Sequence, residues 1–283
     1  MSTADFKLSP QQIQFFQTFG YLGFPGLLAD RIGQIIQDFE DLWAEHGGGH
    51  GGKKHDGTQR SCLVPFIDQS AKLSTLLDDP RILGIASSLM GDDFNYMGSD
   101  GNYYVGETGW HSDGWNPKQL HIKIAFYLDP VGRNSGALRV IPGSHKIGDA
   151  YAEDLNKQLY QKPFEKGLGV AGNEIPAIAL ETQPGDLVCF NHNTKHASFH
   201  GSKSRRMFTM NFCQRYAAAD LHSLREYING AARFWIDRAY GEKMVATAGP
   251  GRMRHLEQVL ANDYELPELV RQARAKMAEP SRG

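Results

Sequence analysis

The sequence predicts a mainly β protein whose antiparallel core is flanked by helices at both ends of the chain. Short apolar runs, separated by turns rich in Pro, Gly and Asn, fill the middle of the chain from about residue 94 to residue 215. Apolar residues recur at helical spacing before and after that stretch. A chain of 283 residues with 41% hydrophobic residues is long enough to bury a large core. We therefore expect an antiparallel sandwich or barrel with flanking helices.

The amino-terminal part of the chain contains three predicted helices. Ser9 is in place to cap the first, Pro10 occupies its first turn and Gly20 ends it. The second is predicted from about residue 29 to residue 44, where large apolar residues recur every three or four positions. The third is predicted from residue 80 to residue 90.

A glycine-rich segment, GGGHGG at residues 47–52, follows the second helix. Because glycine loses more conformational freedom on ordering than any other residue, such a segment is typical of a flexible connector. The functional alternative is a lid over a site, which would bring Lys53, Lys54 or His55 to a substrate.

Four apolar runs predict strands of the core: residues 122–128, 137–141, 187–190 and 206–212. From residue 217 onward the spacing becomes helical again, and two further helices are predicted after residues 249–251. We divide the chain into a β domain with its amino-terminal helices, residues 1–216, and a helical extension packed on it, residues 217–283. The apolar residues of the extension predict core contacts or a homo-oligomer.

Composition excludes several classes of function. Thirty basic and 32 acidic residues give a net charge of −2, without the basic stripe of a nucleic-acid-binding protein. No apolar stretch approaches the roughly 18 residues that predict a membrane span, and the amino terminus lacks the pattern of a secretion signal. The three cysteines are odd in number and far apart, as is typical of reduced thiols in the cytoplasm. We expect a cytoplasmic protein with a small-molecule partner.

The strongest chemical signal is the tripeptide His111-Ser112-Asp113. Side chains two residues apart on a strand share a face, so this pair offers an imidazole and a carboxylate to one metal ion. Taken alone, the pattern is more often an ordinary polar strand edge, because such tripeptides are common by chance.

A second segment supplies the missing donors. Residues 183–190 predict a turn that leads into a strand, His196 follows, and Arg205 opens the next strand. Two histidines and a carboxylate form the facial triad of non-haem Fe(II) oxygenases, and a guanidinium suits the distal carboxylate of 2-oxoglutarate. From the residues alone, three other histidines compete for the third ligand position: His145, His192 and His200.

In this order, the motifs resemble those of the phytanoyl-CoA dioxygenase superfamily of Fe(II)- and 2-oxoglutarate-dependent oxygenases. The resemblance covers most of the chain up to about Arg215. It is carried by LSPQQIQFF at 8–16, DPRIL at 79–83, WHSD at 110–113, NSGALRVIPGSHK at 134–146, PGD at 184–186 and HAS at 196–198. The resemblance implies a double-stranded β-helix core of the jelly-roll or cupin type, with Fe(II), the cosubstrate 2-oxoglutarate and O2.

Position by position, the resemblance implies His111, Asp113 and His196 as the iron ligands. It implies Arg205 as the anchor of the 2-oxoglutarate carboxylate. Ser198 lies two residues after the ligand histidine, on the same face, and is implied as a second contact to that carboxylate.

Several further cosubstrate contacts are implied less directly. The chain is shorter than is usual between the ligand histidine and the anchor, so Arg206 rivals Arg205. On a strand, only one of two neighbouring arginines can face inward. Asn102 and Tyr104 occupy strand positions that lie near the cosubstrate in related ectoine hydroxylases. Where the family usually has Trp, the strand carries Lys123 and two aromatic residues.

The resemblance also implies an activity, which is the oxidation of an unactivated C–H bond of a small metabolite with release of succinate and CO2. Hydroxylation is expected, with desaturation, epimerisation or ring formation as alternatives. Asp113 favours oxidation over halogenation, because halogenating relatives carry a small residue there. Four residues are expected to contact the substrate: Gln59, Arg60, Trp110 and Trp115. Two other classes stay open, namely a cupin-like metalloenzyme that does not use 2-oxoglutarate and an inactive jelly-roll binding protein.

Overall fold

Two antiparallel sheets surrounded by helices make up the computed structural model, which describes residues 6–160 and 164–283. The strands are β1 (Tyr21–Phe24), β2 (Ser61–Leu63), β3 (Phe94–Tyr104), β4 (Thr108–His111), β5 (His121–Tyr127), β6 (Leu138–Val140), β7 (Ile178–Leu180), β8 (Leu187–Asn191), β9 (His196–Ser198) and β10 (Arg205–Gln214). The helices are α1 (Pro10–Phe19), α2 (Ile32–Glu45), α3 (Ala71–Ser74), α4 (Pro80–Met90), α5 (Ala150–Tyr160), α6 (Phe164–Leu168), α7 (Leu221–Asn229), α8 (Glu242–Ala246), α9 (Pro250–Arg254), α10 (Glu257–Leu260) and α11 (Leu266–Lys276). The expectation that the chain lacks a secretion signal depends partly on residues 1–5, which lie outside the described residues.

The larger sheet has the strand order β1-β8-β5-β10-β3-β2, and the smaller has the order β4-β9-β6-β7. Their strands pair antiparallel, and together the sheets form the double-stranded β-helix that the resemblance implies. Helix α2 covers the larger sheet, where the ring of Phe39 lies 5.1 Å from that of Phe66, which in turn lies 5.8 Å from that of Phe208. This apolar layer packs α2 against the larger sheet.

The predicted start and end of α1 are confirmed. Ser9 Oγ accepts a hydrogen bond from the backbone N–H of Gln12 at 3.2 Å, and Gln12 Oε1 accepts one from the N–H of Ser9 at 2.9 Å. Gly20 ends the helix with a φ of 86°, in the left-handed region that glycine adopts without strain. Any Cβ at Gly20 would also lie 2.5 Å from Nδ1 of His145.

The middle of the chain, for which β-like runs are predicted, also contains two helices that were not predicted, α5 and α6, between residues 150 and 168. Ala152, Leu155 and Leu159 follow one another at helical spacing and are buried. Leu155 and Leu159 pack in a small cluster with Trp110 from β4. Their weak pattern is interrupted by charged residues, so the helix depends on this tertiary contact.

The carboxy-terminal segments share the main hydrophobic core with the larger sheet. Leu224, Ile228, Met244 and Leu256 are buried in the same cluster as the strands, and the ring of Tyr240 stacks 5.6 Å from that of Tyr96. Three short helices, rather than the two predicted, follow residue 249. Over the described ranges, none of the helices has the length and apolarity needed to cross a bilayer.

Candidate metal centre

Strands β4 and β9 bring the two predicted ligand histidines face to face. In the antiparallel register His111 is the direct partner of His196, and their ring centroids are 4.2 Å apart. Asp113 lies just beyond the end of β4, and its Oδ1 is 3.9 Å from Nε2 of His111 and 3.8 Å from Nε2 of His196. Three donor atoms, one from each residue, lie within 4.8 Å of one another, so the group can hold a metal ion.

Backbone carbonyls fix the orientation of both imidazoles. Nδ1 of His111 lies 2.8 Å from the carbonyl oxygen of Gly109, and Nδ1 of His196 lies 2.9 Å from that of Thr194. These contacts assign the proton to Nδ1 and leave the Nε2 lone pair of each ring for a metal. Burial lowers the pKa of His196 to about 3, so this imidazole is neutral near pH 7.

The carboxylate of Asp113 has a cationic partner that the sequence reasoning did not predict. Nζ of Lys123 forms an ion pair with Oδ2 of Asp113 at 2.8 Å. Burial opposes ionisation of the carboxyl group, yet the ammonium and the nearby imidazoles hold the pKa of Asp113 well below its usual range. The available signal was a lysine in the middle of the apolar strand β5. Oδ1 of Asp113 is thereby the oxygen that faces the histidines.

The competing histidines serve other purposes. His192 lines the cavity, and its carbonyl oxygen accepts a hydrogen bond from the N–H of Asp113 at 2.9 Å, which positions the loop after β4. His145 Nε2 is directed at a carbonyl of α1, and His200 lies beside an exposed glutamate. Within residues 6–160 and 164–283, the triad is the one group of potential metal ligands found.

Arg205 is a buried cation beside this group. It is 3% exposed and lines the same cavity. Nη2 donates a hydrogen bond to Ser198 Oγ at 3.3 Å, whereas Nε and Nη1 are buried without a hydrogen-bond partner among the described residues. None of the described carboxylates forms an ion pair with Arg205. A buried guanidinium in this state is costly unless an anion joins it.

Two glycines make room for this guanidinium. A Cβ at Gly136 would lie 1.6 Å from Nη1 of Arg205, and one at Gly201 would lie 2.5 Å from the same atom. Gly136 also has a φ of +93°, which other residues rarely adopt. The guanidinium therefore has a fixed location in the wall of the cavity.

The neighbouring arginine on β10 points the other way. Nη1 of Arg206 donates to Oε1 of Glu40 at 2.7 Å, and its remaining nitrogens contact the carboxylate of Asp129. These two carboxylates hold the pKa of Arg206 above its usual range. Of the two rivals, the one that faces the cavity is Arg205.

The triad and Arg205 line one cavity of about 650 Å³, within the usual range for small-molecule sites. Tyr104 lines it too, and its ring lies beneath the guanidinium of Arg60 at 4.2 Å. Asn102 lies behind them, with its Oδ1 accepting a hydrogen bond from Nε of Arg60 at 2.8 Å.

Arg60 is the only one of the four expected substrate contacts in the described part of the cavity wall. Trp110 is buried 6.2 Å from the ring of Phe199 and donates from Nε1 to a carbonyl oxygen at 2.8 Å. Nζ of Lys195 lies 3.8 Å from the ring centroid of Trp115. Gln59 is exposed.

One part of the cavity wall, named the outer end below, contains residues that the sequence reasoning missed. They come from the carboxy-terminal segments: Tyr227, Ile228, Ala231, Arg233, Phe234 and Ile236. Their helical spacing indicated core contacts or a homo-oligomer, and nothing local indicates that these segments return to the cavity.

The glycine-rich loop is held in place by its histidine, both of whose ring nitrogens contact backbone carbonyls. His50 is 3% exposed, with Nδ1 lying 2.9 Å from the carbonyl oxygen of Cys62 and Nε2 lying 3.0 Å from that of Pro280. Whether this loop acts as a lid stays a prediction.

A double-stranded β-helix that presents two imidazoles and a carboxylate from neighbouring segments defines a class, the jelly-roll proteins with a facial-triad metal site. A model of the phytanoyl-CoA dioxygenase (PhyH) family matches residues 16–207, which include the triad and Arg205. The chain belongs to the phytanoyl-CoA dioxygenase family.

Among its relatives, the ectoine dioxygenase of Sphingopyxis alaskensis is 31% identical over 150 residues, which are 46% of this chain and 49% of the relative. The ectoine dioxygenase of Stutzerimonas stutzeri is 27% identical over 216 residues, 68% of this chain and 71% of the relative. For most of these ectoine dioxygenases, the match spans about half of the relative's length.

Solved structures share the fold. The α-ketoglutarate-dependent carbocyclase SnoK of nogalamycin biosynthesis has a TM-score of 0.58 at 22% identity, covering 77% of this chain and 90% of SnoK. EctD of S. alaskensis, solved with 2-oxoglutarate and 5-hydroxyectoine, has a TM-score of 0.56 at 22% identity, covering 73% of this chain and 76% of EctD.

Proposed function

We propose that the protein is an Fe(II)- and 2-oxoglutarate-dependent oxygenase that hydroxylates, or otherwise oxidises, a C–H bond of a small metabolite. The observation that carries this proposal is Arg205, a buried guanidinium without an anionic partner among the described residues, in the same cavity as the His-Asp-His group. A metalloenzyme that did not use an acidic cosubstrate would have no need of that charge.

The donor set fits Fe(II). Two neutral imidazole nitrogens and one carboxylate oxygen are the ligands of the facial triad, which leaves further coordination positions open. The ligands would be His111, Asp113 and His196. When bound, iron and 2-oxoglutarate with O2 supply the oxidising chemistry, in which the cosubstrate becomes succinate and CO2 and one oxygen atom enters the substrate.

The protein's own contribution is to position the reactants. The Gly109 and Thr194 carbonyls keep Nε2 of each histidine unprotonated, and Lys123 occupies the second oxygen of Asp113. Arg205 would bind the distal carboxylate of 2-oxoglutarate with two or more charge-assisted hydrogen bonds, assisted by Ser198. Tyr104 supports this guanidinium, whose Cζ lies 5.1 Å from the ring centroid, and Asn102 acts through Arg60.

Two further findings support the proposal. EctD of S. alaskensis, which shares the fold, was solved with 2-oxoglutarate bound. The presence of Asp113, rather than a small residue, favours oxidation over halogenation. The three free cysteines are buried, which fits the reducing cytoplasm that we propose as its location. A homo-oligomer formed through the carboxy-terminal helices stays a prediction.

The test is an anaerobic titration of the protein with Fe(II) and then 2-oxoglutarate, followed by visible absorbance. We expect the charge-transfer band of a chelated 2-oxo acid. Arg205→Gln should raise the apparent Kd for 2-oxoglutarate by about a hundredfold, because a buried charge pair is lost. The matched control is Arg206→Gln, whose side chain faces away from the cavity and which should leave that Kd unchanged. If neither variant changed the Kd, the proposal would be wrong.

A further inference from the structure

We propose that the outer end of the cavity is an anion-binding subsite, in which Arg60 and Arg233 hold the acidic group of an organic acid with an apolar body. The inference goes beyond the proposed function by naming the chemical class of the substrate, and it rests on that function for the location of the reacting C–H bond.

The charged side chains of the cavity wall are mostly cations. Six charged side chains line it: Arg60, Asp100, Asp113, Lys123, Arg205 and Arg233. Four are cations and two are anions, so these six side chains carry a net charge of +2. Fe(II) and the 2-oxoglutarate dianion cancel each other and leave this excess unchanged. A concave, weakly screened wall of one sign attracts ligands of the opposite sign.

These cations differ in how far neighbouring carboxylates neutralise them. Lys123 is paired with Asp113 at 2.8 Å, and Arg205 serves the cosubstrate end. Arg60 is only partly neutralised, because its Nη2 lies 3.3 Å from Oδ2 of Asp100, an oxygen that also accepts from Asn102 at 2.6 Å. Arg233 forms no ion pair within the described ranges, and its guanidinium rests on the ring of Phe234 at 4.7 Å. Because Lys123 and Arg60 each face a carboxylate, Arg205 and Arg233 are the two lining cations without an ion pair among the described residues, and Arg233 is the one that is not committed to the cosubstrate.

The guanidinium of Arg60 is preorganised by its neighbours. Its Nε is held by Oδ1 of Asn102 at 2.8 Å and its Cζ lies over the ring of Tyr104, so the guanidinium has one defined orientation. Nη1 faces Gly283, where any Cβ would lie 1.9 Å away. A preorganised, stacked arginine binds a planar anion with little loss of side-chain entropy.

Residues 280–283 connect the two arginines. The N–H of Ser281 donates to the carbonyl oxygen of Arg233 at 2.8 Å, and Nη1 of Arg282 donates to that of Arg60 at 2.7 Å. The outer end thus acts as one unit, although its parts are about 170 residues apart in the sequence, as the residue numbers 60 and 233 show.

The apolar part of the ligand is specified by the neighbouring wall. Tyr227, Ile228 and Phe234 line the same end of the cavity, and Met97 and Val64 face it from the β domain. These side chains suit an aliphatic or aromatic body rather than a fully polar metabolite. The acid would be held by Arg60 and Arg233, with its body against these apolar side chains.

Part of the outer end lies beyond the region that the family model matches. The match ends at residue 207, so Arg233 and Phe234 lie outside it, whereas Arg60, the triad and Arg205 lie inside it. Substrate selection by residues outside the shared region fits a family whose members act on different molecules.

The test compares three probes that share one body: phenylbutanoate, phenylpropylphosphonate and the uncharged phenylbutanamide. Each is titrated anaerobically by calorimetry into protein loaded with Fe(II) and 2-oxoglutarate. We expect both acids to bind at least about tenfold more tightly than the amide, the range of a charge-assisted hydrogen bond. The 2-oxoglutarate absorbance band should persist, which excludes displacement of the cosubstrate.

Variants locate the effect. Arg233→Gln removes a guanidinium without a hydrogen bond from the described residues, so it should reduce the preference for acids about tenfold while the fold is kept. Arg60→Gln should do the same, with Arg60→Lys restoring part of it. The matched control is Arg133→Gln, an exposed residue that does not line the cavity and should leave the preference unchanged.

Equal binding of acids and amide, or an unchanged preference in Arg60→Gln and Arg233→Gln, would overturn the subsite. Failure of the wild-type protein to bind 2-oxoglutarate would instead contradict the proposed function. In that case the same titration in Arg205→Gln protein, without cosubstrate, still decides whether the outer arginines select acids.

Discussion

The two ends of the cavity are built in different ways. The inner end, with the triad and Arg205, is made by strands that pair directly, so that one register places His111 opposite His196. The outer end is made by Arg60 and by segments between residues 227 and 240 that return over the sheet. Strand pairing fixes which side chains face each other, which suits metal binding. Turns between short helices tolerate substitution, which suits a surface that selects substrates.

The largest expected effect tests whether the inner end is a metal site at all. Asp113→Ala should lower the affinity for Fe(II) by more than about a hundredfold, because it removes the anionic ligand. Anaerobic titration with Fe(II) or Co(II) measures this. Ser112→Ala is the matched control, since Ser112 Oγ is buried without a hydrogen-bond partner among the described residues and its removal should cost little. Equal metal affinity in both variants would remove the basis of the comparison.

A smaller effect is expected from the space around the anchor. Gly136→Ala places a methyl group on the guanidinium of Arg205 and should raise the KM for 2-oxoglutarate by about ten- to a hundredfold, as a displacement near 1 Å does in active sites. Gly23→Ala is the control, because its Cβ would meet nothing within 4 Å. An unchanged KM in Gly136→Ala would show that the anchor lies elsewhere.

The ion pair of Lys123 joins the metal group to the wall of the cavity. Lys123→Met should lower Fe(II) affinity by about tenfold, the scale for groups that orient a metal ligand. Lys118→Met serves for comparison, since its ion pair with Asp220 is largely exposed and contributes little. We would measure both by metal titration. A loss of stability without a change in metal affinity would make Lys123 a structural residue only.

The smallest effect is expected from His121 of β5, whose Nε2 lies 2.9 Å from the hydroxyl oxygen of Tyr216. Burial lowers the pKa of His121 from 6.5 to about 3. Between these values the unfolded chain binds a proton that the folded chain excludes, so stability falls as the pH falls below 6.5. The loss from this residue approaches about 1.4 kcal/mol per pH unit.

Urea unfolding of the metal-free protein at several pH values measures this slope. His121→Gln should flatten it, whereas His222→Gln, which removes an exposed histidine, should leave it unchanged. The same slope in all three proteins would show that His121 binds a proton as readily in the folded chain as in the unfolded chain.

The sequence predicted the parts of the molecule that depend on local pattern. The capping box of α1, the limits of α4 and the spacing of His111 and Asp113 all lie within short stretches of chain. The choice of Arg205 over Arg206 needed the register of β10 and could not be read from two adjacent arginines. Lys123 and Arg233 could not be assigned, because their surroundings come from residues far away in the sequence. Helices α5 and α6 were missed because tertiary packing, not periodicity, stabilises them.

The segment from Pro280 to Gly283 has a practical consequence for labelling the protein. Gly283 lines the cavity, and the segment is bound to His50, Arg233 and Arg60. Any polypeptide joined to Gly283 therefore begins at the cavity wall, where a bulky affinity tag would compete with ligands for space. A small environment-sensitive dye attached at the same point would instead report each ligand that enters, and so serve as an optical sensor for substrate screening.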